Sequence, residues 1–275
     1  MNALIKYPGG KWKVADWIIS FMPKHKIYLE PYAGGLAVFF NKKPSQYETL
    51  NDIDGRICNL FKVCRDKPGE LAALLQYTPY AREEYESVME GAAGQEIKLT
   101  GNDVEDARRF IVRINQAISG TLADRVGWKN KKICSDGATF PYMWSLLPKI
   151  VIEASGRLKM AQIENRPANE LIVKYNSKDC LIYADPPYLM NTRKGRLYTN
   201  EMGTVPEHEE MLKLLLKHEG PVILSGYDND LYNRYLDGWH TEERQTNANS
   251  AAVRTEKLWM NFEFDKQISF DMIRR

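Results

Sequence analysis

Short apolar runs alternate along the chain with segments whose apolar residues recur every three or four positions. These two periods predict strands and helices respectively. Strands are predicted at Ile27–Glu30, Glu48–Asn51, Cys180–Ala184, Pro221–Ser225 and Leu258–Phe264. The run Leu181-Ile182-Tyr183-Ala184 has no polar alternation, as in a strand covered on both faces. Helices are predicted at Lys13–Phe21, Asp54–Val63, Glu207–His218 and Asn229–Leu236. Strands separated by amphipathic helices imply an α/β fold with a mostly parallel sheet. The middle of the chain breaks that rhythm. Val104, Ala107, Ile111, Ile114 and Ile118 give one apolar face to a helix that starts near Asp103. A loop of Gly, Asp and Lys residues runs from Ser119 to Gly137, and Pro141 opens a helix carrying Trp144, Leu147, Val151 and Leu158. Residues 68–158 therefore read as a helical insertion in an α/β domain formed by residues 1–67 and 159–275.

Composition narrows the class. The 275 residues carry 38 Lys and Arg against 36 Asp and Glu, and 44% are hydrophobic. A chain of this length buries most of the surface that it exposes unfolded, so it needs no staples. Its 11% aromatic residues supply a core that a disordered, charged coil lacks. No window reaches the roughly 18 apolar residues of a membrane span, and the stretch MNALIKYPGGKWK has no signal-peptide core. No membrane partner is expected. Cys58, Cys64, Cys134 and Cys180 form no CxxC pair, and His25, His208, His218 and His240 stand alone. That scatter predicts reduced, buried thiols in a cytoplasmic protein and no metal site.

The net charge of +2 hides an uneven distribution. Between Arg108 and Lys132 lie Arg108, Arg109, Arg113, Arg125, Lys129, Lys131 and Lys132, with Asp124 the single acid. A solvated helix face and loop would look the same by charge alone. Here Asn115, Gln116, Trp128 and Asn130 are interleaved with the bases, a mixture suited to phosphates and base edges.

Three motifs carry chemistry. Asp185-Pro186-Pro187-Tyr188 follows the apolar strand directly, and ligands of open α/β sheets sit beyond the carboxyl ends of the strands. Two prolines make a stiff turn with free carbonyls, Asp185 adds a carboxylate acceptor and Tyr188 a flat ring. That set suits an exocyclic amine on a nucleobase, whose lone pair is delocalised into the ring. Accepting both N–H groups favours a tetrahedral nitrogen that can attack, while the ring stacks on Tyr188. The second motif, Tyr28-Leu29-Glu30-Pro31-Tyr32-Ala33-Gly34-Gly35, is a strand running into a glycine turn, with Asp52 at the end of the next strand to meet ribose hydroxyls. Asp52-Ile53-Asp54-Gly55 lacks the further ligands of a calcium loop. The third, Tyr7-Pro8-Gly9-Gly10-Lys11, lacks the GxxxxGK[ST] spacing of a phosphate loop. It reads as a turn that places Tyr7 and Lys11 over a neighbouring ligand.

Taken in order, Lys6–Lys11, Glu30–Gly35, Asn51-Asp52 and Asp185–Tyr188 resemble the Dam-like, phage-type DNA adenine-N6 methyltransferases. The likeness extends to Ile163–Pro167, Leu224–Tyr227 and Glu256–Trp259, and so spans essentially the whole chain. The resemblance implies a class I methyltransferase (Rossmann-like) fold using S-adenosyl-L-methionine, with target recognition in the insertion. It places cofactor contacts on Tyr7, Lys11, Glu30, Pro31, Tyr32, Ala33, Gly34, Gly35, Asp52, Asn165 and Asp185, and transfer chemistry on Asp185, Pro186, Pro187 and Tyr188. The chain departs from the family at Tyr32, at Leu36, where a small residue is common, and at Pro167, where an acid is common.

A base inside a duplex is out of reach, so the adenine is expected to flip into the pocket of an enzyme that acts on double-stranded DNA as a monomer or weak dimer. Transfer is direct, with no covalent enzyme intermediate. Arg113, Asn115, Arg125, Lys129, Lys131 and Lys132 are the expected DNA contacts in the insertion, and Arg193, Lys194, Arg196 and Tyr198 those after the Pro-Pro turn. Such an enzyme belongs in the cytoplasm of a bacterial or phage-infected cell, at the nucleoid. A cytosine-N4 methyltransferase would use the same chemistry but usually carries Ser at position 185. A silent DNA-binding module of the same fold would not need Asp185–Tyr188 intact.

Overall fold

A computed structural model describes residues 1–89, 97, 99–118, 126–130, 137–189, 202–247 and 253–263, without the side chains of 246, 247, 253 and 254. Among these residues one seven-stranded sheet has the order β3-β2-β1-β4-β5-β7-β6. The strands are β1 (Ile27–Glu30), β2 (Tyr47–Asn51), β3 (Gln162–Glu164), β4 (Cys180–Ala184), β5 (Val222–Gly226), β6 (His240–Asn247) and β7 (Val253–Met260). The first five are parallel, and β7 joins antiparallel between β5 and β6. β4 and β5 are buried at every position, so their continuous apolar runs meet cover on both faces. The chain leaves β1 toward β2 on one side and returns to β4 on the other. That reversal opens a crevice between the carboxyl ends of β1 and β4, where such sheets bind ligands.

Among the described residues six helices lie between β2 and β3: α3 (Gly55–Asp66), α4 (Pro68–Tyr77), α5 (Arg82–Met89), α6 (Asp103–Gln116), α7 (Phe140–Ser145) and α8 (Leu147–Leu158). The expected helix from Pro141 is two helices, because Pro148 opens α8. Leu147, Ile150, Val151, Ala154 and Leu158 line the buried stripe of α8. This stripe packs on α4 and on α3 (Gly55–Asp66), which also receives α6. The helices between β2 and β3 thus share one hydrophobic core with the sheet.

α6 corrects part of the charge reading. Its cap is Asn102, whose side chain accepts from Val104 and Glu105. Arg108 bonds Glu105 and Glu84, and Arg109 bonds Glu105, so both are neutralised locally. Arg113 was expected to meet DNA but is 1% exposed, on the stripe that also buries Phe110 and Ala117. Its guanidinium is sealed in the core, where no duplex reaches. Asn115 is committed too: its amide accepts from Lys6 N at 3.0 Å and donates to Leu4 O at 3.1 Å, which moors the N-terminal segment to the insertion. Lys129 bonds Gln116 through its backbone N–H and lies 5.2 Å from the Phe140 ring centroid. The expected contacts Arg125, Lys131, Lys132, Arg193, Lys194, Arg196 and Tyr198 lie outside the described residues.

Candidate active site

The crevice at the β1/β4 reversal is built by the three motifs. After β1, Gly34 takes φ +45° and Leu36 takes φ +53° before a short helix, α2 (Ala37–Asn41). Asp52 fastens this turn: one carboxylate oxygen accepts Gly34 N at 2.9 Å and the other accepts Asp54 N at 2.9 Å. Asn51 ties Pro31 O to Arg166, and Asn165 donates to the Asp52 and Ile53 carbonyls. The Tyr7 ring lies on the glycine turn, so a Cβ added at Gly34 would stand 2.9 Å from Tyr7 Cε1. Gly34→Ala is expected to destabilise the protein by about 1–2 kcal/mol from its left-handed backbone alone. Adding Tyr7→Ala should relieve the clash and leave that backbone share, as thermal melting of the two variants would reveal.

Tyr7, Lys11, Glu30, Tyr32, Ala33, Gly34, Gly35, Asp52 and Asp185 all line the pocket, together with Tyr183 and Pro187. Asn165 and Pro31 do not, nor do Pro186 and Tyr188 of the transfer motif. Asn165 is exposed and acts on the pocket through the Asp52 backbone, and Pro31 serves as an acceptor for Asn51. The Asn51 side chain, to which the motif assigns no contact of its own, is the brace between the β1 and β3 ends. Its signal was its place beside Asp52.

Electrostatics divide the pocket. Glu30 is 2% exposed and accepts the Tyr28 hydroxyl at 2.7 Å. Burial pushes its carboxyl up to about 8, against the opposing Tyr28 hydrogen bond. Burial likewise pushes Asp52 up to about 6, against backbone donors from Asp54 and Gly34. Lys11 is buried at 5% exposure, which works against its charge, yet Asp185 and Glu256 more than offset that and raise its pKa. Its Nζ stands 3.0 Å from Asp185 Oδ1, which also accepts the Ser225 hydroxyl at 2.8 Å. Among the described residues no protein donor reaches Asp185 Oδ2. Tyr188 follows the proline pair, with its ring 4.4 Å from that of Tyr227 and its hydroxyl bonded to Glu256.

The carboxyls of Glu30, Asp52, Asp54 and Asp185 line the pocket with the single ammonium of Lys11, which leaves room for positive charge. A carboxyl held at about 8 by burial lacks a full counter-charge, so the donor set fits a cationic nucleoside such as S-adenosylmethionine. The glycine turn admits close approach to its backbone, and Asp52 lies at the second-strand position that suits ribose hydroxyls. Among the described residues no group of His, Cys, Asp and Glu could hold a metal, and no helix is long and apolar enough to cross a membrane.

Comparisons with known proteins agree with this arrangement. The chain is 31% identical over 215 residues to the type II methyltransferase M1.LlaDCHI of Lactococcus lactis subsp. cremoris, covering 73% of this chain and 71% of that protein. It is 24% identical over 219 residues to the DNA N-6-adenine-methyltransferase of Escherichia phage P1. That match covers 78% of this chain and 28% of the phage protein. The family profile described as D12 class N6 adenine-specific DNA methyltransferase matches residues 7–248. With most of its length matched and the motifs gathered at one crevice, the chain belongs to the D12 class of N6-adenine-specific DNA methyltransferases.

Proposed function

We propose that the β1/β4 crevice binds S-adenosylmethionine and that Asp185–Tyr188 receive an adenine flipped out of duplex DNA. The observation that carries this reading is the state of Asp185, whose Oδ1 is held by Ser225 and Lys11 while Oδ2 is left to an incoming donor. Tyr7, Lys11, Glu30, the turn through Gly35 and Asp52 hold the cofactor, and Asn165 supports Asp52 from behind. When bound, S-adenosylmethionine supplies a methyl group on a cationic sulfur.

The protein's part is orientation. Asp185 Oδ2 accepts one N–H of the adenine amine and the Pro186 carbonyl the other, which draws the nitrogen toward a tetrahedral, nucleophilic shape. Pro186 is buried and Pro187 lines the pocket, so the acceptors are rigidly mounted. Tyr188 supplies the stacking face. The nitrogen carries one proton too many once it has gained the methyl group, and Asp185 is the nearest base to take it. Lys129 and the basic segments around Arg125, Lys131, Lys132 and Arg193–Tyr198 hold the duplex, with the enzyme at work on DNA in the cytoplasm.

The test is to incubate the purified protein with unmethylated genomic DNA and labelled S-adenosylmethionine, and to identify the labelled base by mass spectrometry. N6-methyladenine is expected. N4-methylcytosine would shift the chemistry to the other exocyclic amine, and no label would point to a silent module.

Glu30 gives the pocket a proton signature. With a carboxyl at about 8 it is mostly protonated at neutral pH, and a cation beside it favours the ionised form. Binding S-adenosylmethionine near pH 7 is therefore expected to release protons, up to about one per site. The release should fade near pH 9, where Glu30 is already ionised, and vanish in Glu30→Gln. Calorimetry in two buffers of unlike ionisation enthalpy reads it, and identical heats for the wild type would rule it out.

A further inference from the structure

Glu256 does not line the pocket, yet it touches two residues of the site, Tyr188 and Lys11. It begins the Glu-Lys-Leu-Trp run on β7, a strand paired antiparallel to β5 with Lys257 opposite Gly226 and Leu258 opposite Ser225. That register carries Glu256 just past the end of β5. The side chain is 12% exposed. Its Oε2 accepts the Tyr188 hydroxyl at 2.7 Å and lies 3.9 Å from Lys11 Nζ. Lys11 in turn stands 4.8 Å from the Tyr188 ring centroid. The Tyr227 ring meets the Tyr188 ring at an interplanar angle of 67°.

We propose that Glu256 is a positioning residue for methyl transfer: by holding the Tyr188 hydroxyl it fixes the plane on which the target base stacks. This rests on the reading of Tyr188 as the stacking face. A phenylalanine would offer the same π-surface, so the hydroxyl matters only for what it holds. The Pro-Pro turn fixes the ring at its stem, and a charge-assisted bond to a buried carboxylate fixes it at the tip, where a small rotation moves a stacked base furthest. Tyr227 closes the side. Lys11 compensates the negative charge of Glu256, so the carboxylate can remain in a mostly buried place without stranding its charge.

The test is a double-mutant cycle on single-turnover methyl transfer, with enzyme in excess over unmethylated genomic DNA and saturating labelled S-adenosylmethionine. Tyr188→Phe and Glu256→Met, the second chosen to keep volume while removing the acceptor, should each slow transfer by about tenfold. The doubly substituted protein should be no slower than the slower single variant, since a lost bond cannot be lost twice. Glu256→Gln keeps an oxygen acceptor for the hydroxyl and should stay within about threefold of the wild type. Multiplied losses in the double variant, a Glu256→Gln protein as slow as Glu256→Met, or a Tyr188→Phe protein at the wild-type rate would each overturn the proposal. The Tyr188→Phe and Glu256→Gln results stand even if Glu256→Met folds poorly. A wild type that puts no methyl on adenine would instead sink the reading of the site, so the two failures look different.

Discussion

Asp185→Ala is expected to slow methyl transfer by about 10²–10³-fold, the usual loss when one preorganised hydrogen-bonding partner leaves a reaction centre. The fold should survive, because Asp185 is only half-buried and its neighbours have other partners: Ser225 also bonds Tyr183, and Lys11 also reaches Gly9 O. Asp185→Asn is the sharper variant. Ser225 and Lys11 both donate to Oδ1, so the amide oxygen must turn toward them. The amide NH2 is then left facing the adenine amine, donor against donor. Asparagine should therefore rescue little despite its matching shape, with the loss in kcat and S-adenosylmethionine affinity changing far less. Rate measurements at saturating DNA over a range of cofactor concentrations separate the two quantities.

Glu48→Ala is expected to cost about 3–5 kcal/mol of stability, the range for removing one partner of a buried ion cluster. For a chain of this size that lowers the melting temperature by roughly 10 °C. Glu48 is fully buried on β2, and it binds both Lys42, just after α2, and Arg157, on α8. Arg157 Nη2 reaches Oε1 at 2.8 Å, and Ser45 N adds a third donor at 3.1 Å. Lys42 is 2% exposed and Arg157 13%, so alanine would strand two cations. Burial alone would raise the Glu48 pKa, but the bonds from Arg157 and Lys42 outweigh it and hold the carboxyl below its usual value. The stabilisation is accordingly present above the unfolded carboxylate range and is lost as pH falls through the lower folded value. Replacing all three by apolar residues of similar volume should cost far less than Glu48→Ala, because no charge is then left unpaired. Thermal melting of the single and triple variants decides this. The cluster matters because Arg157 lies on α8 and Glu48 on β2, so it locks that helix to the sheet.

The strands that build the crevice were legible because burial on both faces leaves an unbroken apolar run. Both Ile27–Glu30 and Cys180–Ala184 are strands at the predicted residues. β6 escaped notice for the opposite reason. His240–Asn247 is a polar edge strand, paired with β7 alone, and its sequence offers no apolar residue to alternate. β7 itself starts five residues before its predicted beginning at Leu258, since its first half faces that polar partner. β3, at the other edge, is three residues with none buried. The motifs declared which residues matter but not whom they touch. Arg113 shares the helical phase of Phe110 and Ala117, which already placed it inside, and its charge drew attention outward instead. Asn115 and Glu256 owe their partners to segments far away in the chain, Leu4–Lys6 and Tyr188, and local pattern carries no trace of such pairings.

The most direct test of the account is to map modified bases by single-molecule sequencing on unmethylated genomic DNA, treated in parallel with the wild type and Asp185→Ala. The account predicts N6-methyladenine confined to one short sequence motif with the wild type, and its near disappearance with the variant. Equal methylation by both proteins, or modification of cytosine alone, would contradict it.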